Sequence, residues 1–118
     1  MNKYEKGLKG QKEAEDFLCS KGAQILERNY RTRSGEIDLI AHIENFIVFV
    51  EVKFRKGLTH GFPSESVGFR KQQKIIKTAM HYINYKKLVN QDFRFDVVEV
   101  LLLDGKLYAK HIEDAFQV

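Results

Sequence analysis

Apolar positions recur at two different spacings along the chain, and each spacing predicts one type of element. Helical spacing predicts a first helix from about Tyr4 to Ser20, which Gly22 suits as a stop, and a longer one from about Val67 to Lys86. The side chains predicted to face inward are Leu8, Ala14, Phe17 and Leu18 in the first helix, and Ile75, Ile76, Ala79, Met80 and Ile83 in the second.

Strand patterns occupy most of the remaining chain. A first strand is predicted over Ile25–Tyr30, and the segment GEIDLIA leads into a hairpin that returns through FIVFVEVK. Two closing strands, Arg94–Leu103 and Lys106–Ile112, meet at Asp104-Gly105, a strong hairpin turn. The order αβββαββ predicts an α/β fold in a single domain spanning residues 1–118, with a central mixed sheet flanked by helices.

The central hairpin contains charged residues in strands whose apolar pattern predicts that they are buried. With Glu44-Asn45 as its turn, Asp38 lies directly opposite Glu51, with Cβ atoms roughly 4.5–5.5 Å apart. A four-residue turn with the same centre keeps this register, whereas a three-residue turn breaks it. Strand alternation places Lys53 on the same face as Glu51, with Glu36 as a candidate partner.

An unpaired buried charge costs several kcal/mol, roughly, so the two acids require a counter-charge. A divalent cation such as Mg²⁺, held by Asp38, Glu51 and the carbonyl of Val52, satisfies them. Lys53 beside that cation has the chemistry to orient or deprotonate an attacking water during phosphodiester hydrolysis. The alternative is a salt bridge at the strand end, formed by Lys53 with Glu51 or with Asp38.

Composition limits the classes of protein to which this chain can belong. The 118 residues contain no apolar run of roughly 18–20 residues, so a cytoplasmic protein without membrane segments is expected. One cysteine, Cys19, excludes an internal disulfide, and the four histidines lack the spacing of zinc ligands. The net charge of +4 is compatible with a polyanionic partner.

Several motifs together resemble the bacterial YraN-like proteins, a family similar to archaeal Holliday-junction resolvases. The resemblance runs from Gly7 to Phe116 and is carried by GEIDLIA, VFVEVKFR, the Gly-Phe-Pro loop at Gly61, Lys71-Gln72 and the run Arg94-Phe95-Asp96-Val97-Val98. It implies the PD-(D/E)xK nuclease fold, with Asp38, Glu51 and Lys53 as the D, E and K of the signature. It also implies DNA, including branched DNA, as the partner, Mg²⁺ with Mn²⁺ as substitute, and a symmetric homodimer.

The first helix departs from the family pattern. The family reads G-E-x-x-A there, and this chain has Gln11 in place of the glutamate. An amide oxygen can bind a metal but adds no negative charge, so Gln11 is expected as a secondary contact of the catalytic site. Glu15, one turn further, is an alternative acid, and a purely structural role for Gln11 is equally compatible with the pattern.

Basic and polar residues near these strands are candidates for nucleic-acid contact. They are Arg31 and Arg33 in the turn after the first strand, Arg55, Lys56 and His60 after the third, and Lys71 and Gln72 at the start of the second helix. For Lys71 and Gln72, a capping or core role is favoured. The stripe of Arg70, Lys74, Lys77 and His81 is interpreted as solvated surface, and Asp96 as a partner of Arg94 or of a backbone amide.

The function expected from these residues and the resemblance is Mg²⁺-dependent hydrolysis of structured DNA. A nucleic-acid-binding module that keeps the fold without turnover is the alternative, because Gln11 replaces an acid. A protein-interaction scaffold is the third, least favoured class.

Overall fold

The computed structural model describes residues 2–56 and 67–118; for Lys56, it describes the backbone but not the side chain. Its elements are α1 (Lys3–Ser20), β1 (Gln24–Thr32), β2 (Gly35–Ile43), β3 (Phe46–Lys56), α2 (Phe69–Lys86), β4 (Asp92–Leu103) and β5 (Lys106–Phe116). This order confirms the predicted αβββαββ arrangement. Of the helices so described, none is both long and apolar enough to cross a membrane.

The strands form one mixed sheet in the order β1-β2-β3-β4-β5. Adjacent strands are antiparallel except β3 and β4, which run parallel because α2 lies between them in the chain. Strands β2 and β3 pair from Ile43 opposite Phe46 to Leu39 opposite Val50. That pairing is the register predicted from the Glu44-Asn45 turn.

The strand ends extend beyond the predicted bounds for local reasons. β4 begins earlier because Asp92 already pairs with Phe46 at the start of β3. β5 continues past its predicted end through an irregularity at which Asp114 adopts a φ of 53°. Beyond that irregularity, Phe116 pairs with Phe95 of β4 and packs on its ring, with centroids 5.1 Å apart.

Each face of the sheet is covered by one helix. Alternate residues of β3 divide between the two cores: Ile47 and Phe49 pack with α2, whereas Val48 and Val50 pack with α1. By the same alternation, Glu51 and Lys53 face the α2 side of the sheet. The charged end of β3 therefore meets the beginning of α2.

Two of the predicted inward positions were wrong. Leu8 is 54% exposed and Met80 is 45% exposed, while Thr78 and Tyr82 are buried in α2 instead. Thr78 tolerates burial because its hydroxyl donates to a backbone carbonyl one turn earlier, at 2.8 Å. Helix α2 also begins later than predicted, since Gly68 is its N-cap.

Asp96 is fully buried in β4, and its predicted partners are confirmed. Arg94 donates to both carboxylate oxygens at 2.8 and 2.9 Å, and the backbone amide of Asp114 donates at 2.9 Å. His111 Nε2 lies 2.6 Å from the same group. Burial acts to raise the pKa of Asp96, but these hydrogen bonds outweigh it and lower the pKa. The carboxylate thus ties β5 to β4.

Helix α1 packs tightly against the sheet at Gly10. A Cβ at Gly10 would lie 2.9 Å from Cδ2 of the Phe54 ring in β3, which is closer than real Cβ contacts come. The absence of a side chain therefore lets α1 lie flat on β3. Because Gln11 is the next residue, this contact also determines how near Gln11 comes to the charged end of the sheet.

We expect Gly10→Ala to lower the free energy of unfolding by about 1 kcal/mol, because the overpacking outweighs the gain in helix propensity. Gly7→Ala is the matched control: a Cβ there meets nothing within 4 Å. It should therefore stabilise the protein by about 0.5–1 kcal/mol. Urea unfolding of both variants measures the difference, and equal effects would contradict the packing role of Gly10.

Candidate metal site

Asp38 lies where the ladder between β2 and β3 ends. After Leu39 and Val50, the next hydrogen-bonded pair of a continued ladder would join Ile37 to Val52. In its place, the Val52 N–H donates to Asp38 Oδ2 at 2.7 Å. The carboxyl group thus replaces a main-chain acceptor and stays between the two strands.

The backbone around Asp38 is also irregular on its other side. Pairing between β1 and β2 skips Asp38 and the residue facing it, Asn29, which has a left-handed φ of 52°. Side-chain alternation breaks at the same point, since Ile37 packs with the α2 core while Leu39 packs with the α1 core. Such irregularities redirect side chains, and here the result is that Asp38 borders both sides of the sheet.

Glu51 extends from β3 toward α2, and its side chain is only 5% exposed. Lys71 of α2 places its Nζ 2.8 Å from Glu51 Oε2, an ion-pair distance. Within the described residues, this buried oxygen has the contact with Lys71 and no further hydrogen-bond partner. Glu51 therefore offers a desolvated oxygen that is balanced by a single ammonium group.

The two carboxyl groups titrate together. Burial, followed by the hydrogen bond to Glu51 and its charge, raises the pKa of Asp38 to about 8. Burial also acts to raise the pKa of Glu51, but the hydrogen bond to Asp38 and the ion pair with Lys71 outweigh it and lower that pKa. At neutral pH the pair therefore shares one proton.

Two cavities meet at Asp38. The first, of about 540 Å³, lies on the α2 side and contains both acids together with Arg70, Lys71 and Lys74. The second, of about 290 Å³, lies on the α1 side and is lined in part by Gln11, Asn29, Asp38 and Val52. The acids thus face cations on one side of the sheet and amides on the other.

Gln11 and Asn29 hold each other in the second cavity. Gln11 Nε2 donates to Asn29 Oδ1 at 2.8 Å, and Asn29 Nδ2 donates back to Gln11 Oε1 at 3.1 Å. Asn29 also donates to Glu36 at 3.2 Å. The amide of Gln11 therefore lines the same cavity as Asp38, with its donor and acceptor already paired to Asn29.

The donor set fits a hard divalent cation. Within residues 2–56 and 67–118, no group of three or more histidine, cysteine, aspartate or glutamate side chains comes together, so a zinc-type cluster is not formed there. Mg²⁺ differs because it takes one or two carboxylates and retains several waters. Asp38 and Glu51 provide that pair, and Glu51 Oε2, whose partner among the described residues is Lys71 alone, is an oxygen that such a cation would bind.

Comparison with known proteins identifies the family. The model of "Uncharacterised protein family UPF0102" matches residues 10–100. The chain belongs to this family. A UPF0102 protein of Clostridioides difficile (strain 630) is 52% identical over 116 residues, covering 98% of this chain and 100% of the relative. A UPF0102 protein of Clostridium acetobutylicum is 48% identical over 111 residues, covering 92% of this chain and 91% of the relative. UPF0102 is the YraN family, so the family indicated by the sequence motifs is confirmed.

Of the predicted catalytic residues of this UPF0102 protein, Asp38 and Glu51 come together as expected. Lys53 lies on the α2 face of β3, and its positive charge contributes to lowering the pKa of Glu51. In the described part of the chain, the ion pair of Glu51 is with Lys71 rather than with Lys53. Glu36, the candidate partner of Lys53, instead accepts a hydrogen bond from Arg31 at 3.3 Å.

The predicted nucleic-acid contacts divide into paired and exposed groups. Arg55 is bound to Glu99 at 2.7 Å, and Gln72 donates to the carbonyl of Val67 at 2.8 Å, which is the structural role favoured for it. Arg33 lies exposed in the β1–β2 turn.

The remaining predicted contacts differ in what the structure describes. Arg31, predicted in the turn with Arg33, instead lies near the end of β1, where it is paired with Glu36 but largely exposed. Of Lys56 only the backbone in β3 is described, and His60 lies outside the described residues. Glu15, the alternative acid, is bound by Arg28 at 2.7 and 2.9 Å and is thereby engaged away from Asp38.

Two features of the site were missed by sequence reasoning. Asn29 was not singled out, although asparagine is enriched at left-handed φ and so is a signal for an irregular strand. Arg70 and Lys74 were assigned to solvated surface, yet they line the cavity that contains the acids. The helical spacing of these two residues was predicted correctly, but whether they line the cavity depends on how α2 packs on the sheet.

We expect Asp38→Asn to stabilise the protein increasingly as pH rises from 5 to 8. Asparagine keeps an acceptor for the Val52 amide and removes a carboxyl whose pKa is about 8 when folded, against about 3.9 when unfolded. The wild-type unfolded chain binds fewer protons over that interval, so the wild type loses stability as pH rises. Thermal unfolding at several pH values should show a gap widening by a few degrees. A constant gap would contradict the raised pKa.

Proposed function

We propose that this UPF0102 protein is a divalent-cation-dependent endonuclease that hydrolyses phosphodiester bonds in structured or branched DNA. The observation that carries the proposal is the carboxyl pair of half-buried Asp38 and buried Glu51, in which one desolvated oxygen of Glu51 has no partner besides Lys71 among the described residues. Burial of two acids side by side is costly, and a divalent cation is the group that relieves the cost.

The cation would be held by Asp38, Glu51 and the backbone carbonyl of Val52. The Val52 N–H faces β2, since it donates to Asp38. In a strand, the N–H and C=O of one residue point to the same side, so the carbonyl of Val52 also faces Asp38. When bound, Mg²⁺ or Mn²⁺ supplies Lewis-acid activation of the phosphate and lowers the pKa of a bound water.

The surrounding cations have separate roles. Lys53 shares a face of β3 with Glu51, where it would orient the attacking water and accept or release its proton. Arg70 and Lys71 line the cavity at the start of α2, where the exposed amides of the first turn favour anions such as phosphate. Arg31 and Arg33 extend this positive surface at the β1–β2 turn.

A symmetric homodimer is part of the proposal by analogy with junction resolvases. Cutting both strands of a branched DNA requires two sites related by a two-fold axis, and a dimer provides them. The net charge of +4 supports binding to a polyanion.

A second candidate function is a DNA- or RNA-binding module that keeps the nuclease fold without turnover. The reciprocal amide pair of Gln11 and Asn29 favours it, because it occupies the position of the family's glutamate with neutral, already bonded groups. Binding through phosphate contacts should weaken steeply between about 50 and 200 mM salt in either case.

For the nuclease, we expect Mg²⁺- or Mn²⁺-dependent cleavage of branched or single-stranded DNA, with Glu51→Gln and Lys53→Ala each lowering the rate by about 100-fold or more. Lys106→Ala, at the exposed start of β5, removes the same charge away from the cavity and should leave the rate unchanged. Gel-based cleavage assays measure these rates. Cleavage that survives in Glu51→Gln would remove the site from the mechanism.

Gln11→Glu separates the two candidates. The added carboxylate lies in the cavity that also contains Asp38, so Mn²⁺ should bind several-fold more tightly, measured by calorimetry. Gln24→Glu, at the exposed start of β1, adds the same charge elsewhere and is the control. A wild type without cleavage and a cleaving Gln11→Glu variant would favour the binding module, whereas unchanged Mn²⁺ affinity in Gln11→Glu would exclude Gln11 from the site.

A further inference from the structure

The contact between Lys71 and Glu51 joins two side chains of very different accessibility. The Glu51 side chain is 5% exposed, whereas that of Lys71 is 51% exposed. Lys71 can therefore leave the pair and regain water at little cost, while Glu51 cannot. The pair is asymmetric: the buried acid needs a cation, but this lysine does not need the acid.

The other cations near the site are less available to Glu51. Arg55 is committed to Glu99 at 2.7 Å and Arg31 to Glu36 at 3.3 Å. Arg70 lines the same cavity, but the ion pair that Glu51 makes within the described residues is with Lys71, at 2.8 Å. Lys71 is thus the cation that neutralises the proposed metal ligand.

Lys71 and a metal ion cannot use the same oxygen together. A Mg²⁺ ligand oxygen lies about 2.0–2.1 Å from the metal. The ammonium group at Glu51 Oε2 therefore occupies the space that the metal would need, and it already supplies the positive charge that the metal would bring. Two cations at one oxygen would also repel each other strongly in a desolvated site. A metal bound through Oε2 must therefore displace Lys71 from that oxygen.

The displaced ammonium remains in the cavity. Lys71 belongs to the first turn of α2, which begins at Phe69, and it lines the cavity together with Arg70. A phosphate placed in that cavity would meet the freed ammonium group. Metal would then make Lys71 available to phosphate, and phosphate would draw Lys71 away from Glu51, which couples the two bindings reciprocally.

Building on the proposed metal site, we infer that Lys71 is a displaceable internal cation: it neutralises Glu51 in the metal-free protein and transfers to a DNA phosphate when the metal binds. Without metal, Lys71 thereby balances the negative charge of buried Glu51. When metal is present, the binding of metal and the binding of DNA strengthen each other.

Calorimetric titration of Mn²⁺ into the wild type, Lys71→Met, Lys71→Arg and Lys77→Met tests this inference. Removing the competitor should tighten Mn²⁺ binding in Lys71→Met by about five- to thirtyfold, the worth of a partly buried charged contact. Lys71→Arg keeps the competitor and should bind no more tightly than the wild type. Lys77→Met removes an exposed charge from the same helix outside the cavity and should change the affinity less than about threefold.

A second measurement tests the transfer to phosphate. With an uncleavable phosphorothioate oligonucleotide as probe, Mn²⁺ should tighten DNA binding by the wild type, and this gain should shrink in Lys71→Met. A structural lysine that only fastens α2 to the sheet predicts a different result: Lys71→Met would melt at a lower temperature, and its Mn²⁺ affinity would be equal to or weaker than that of Lys77→Met. That result would overturn the inference.

Glu51→Gln distinguishes failure of the inference from failure of the proposed function. Mn²⁺ binding by the wild type that disappears in Glu51→Gln, combined with equal affinities in Lys71→Met and Lys77→Met, would overturn the displacement alone. Absence of Mn²⁺ binding in every variant would overturn both. If Lys71→Met fails to fold, the comparison of Lys71→Arg with the wild type decides, because tighter binding by the arginine variant contradicts competition.

Discussion

Two neighbouring carboxyl groups on adjacent strands, one buried and one half-buried, are the constraint from which the rest of the site follows. Asp38 and Glu51 stand side by side at the end of the β2–β3 ladder, where both cannot be charged without compensation. The protein divides the compensation among a shared proton, the Val52 amide and the ammonium group of Lys71. Apolar residues in these positions would cost less, so a role in structure alone does not account for the pair.

The irregular strand geometry explains why this pair is accessible. A continuous ladder would bury the carboxyl group of Asp38 under main-chain hydrogen bonds. Instead, Asn29 adopts a left-handed conformation opposite it, and side-chain alternation reverses between Ile37 and Leu39. Asp38 at this irregularity lines both the cavity with cations and the cavity with Gln11. The backbone irregularity thus lets one carboxyl group border both faces of the sheet.

Local rules explain why the sequence predicted so much of this arrangement. The Glu44-Asn45 turn and the period of two determine the register as far as Leu39 and Val50. Asp38 and Glu51 are the next residues of the two strands, and their side chains interact. Contacts between elements that are distant in sequence were harder to predict. Helical spacing identified basic residues on α2, but only the placement of the helix over β3 brings Lys71 to Glu51. Met80 was misassigned for the same reason, since the edge of an apolar stripe becomes core or surface according to how the helix rests on the sheet.

The two helices act on the acids in opposite ways. Helix α2 contributes a half-exposed positive charge, because Lys71 contacts Glu51 at 2.8 Å while half of its side chain remains in solvent. Helix α1 contributes a neutral amide held by Asn29, at a distance fixed by the close packing of Gly10 on Phe54. A cation entering the pair would therefore find an exchangeable competitor on one side and a rigid, uncharged neighbour on the other. The affinity of the site is then governed mainly from α2, the same helix whose first turn faces the space where a phosphate would lie.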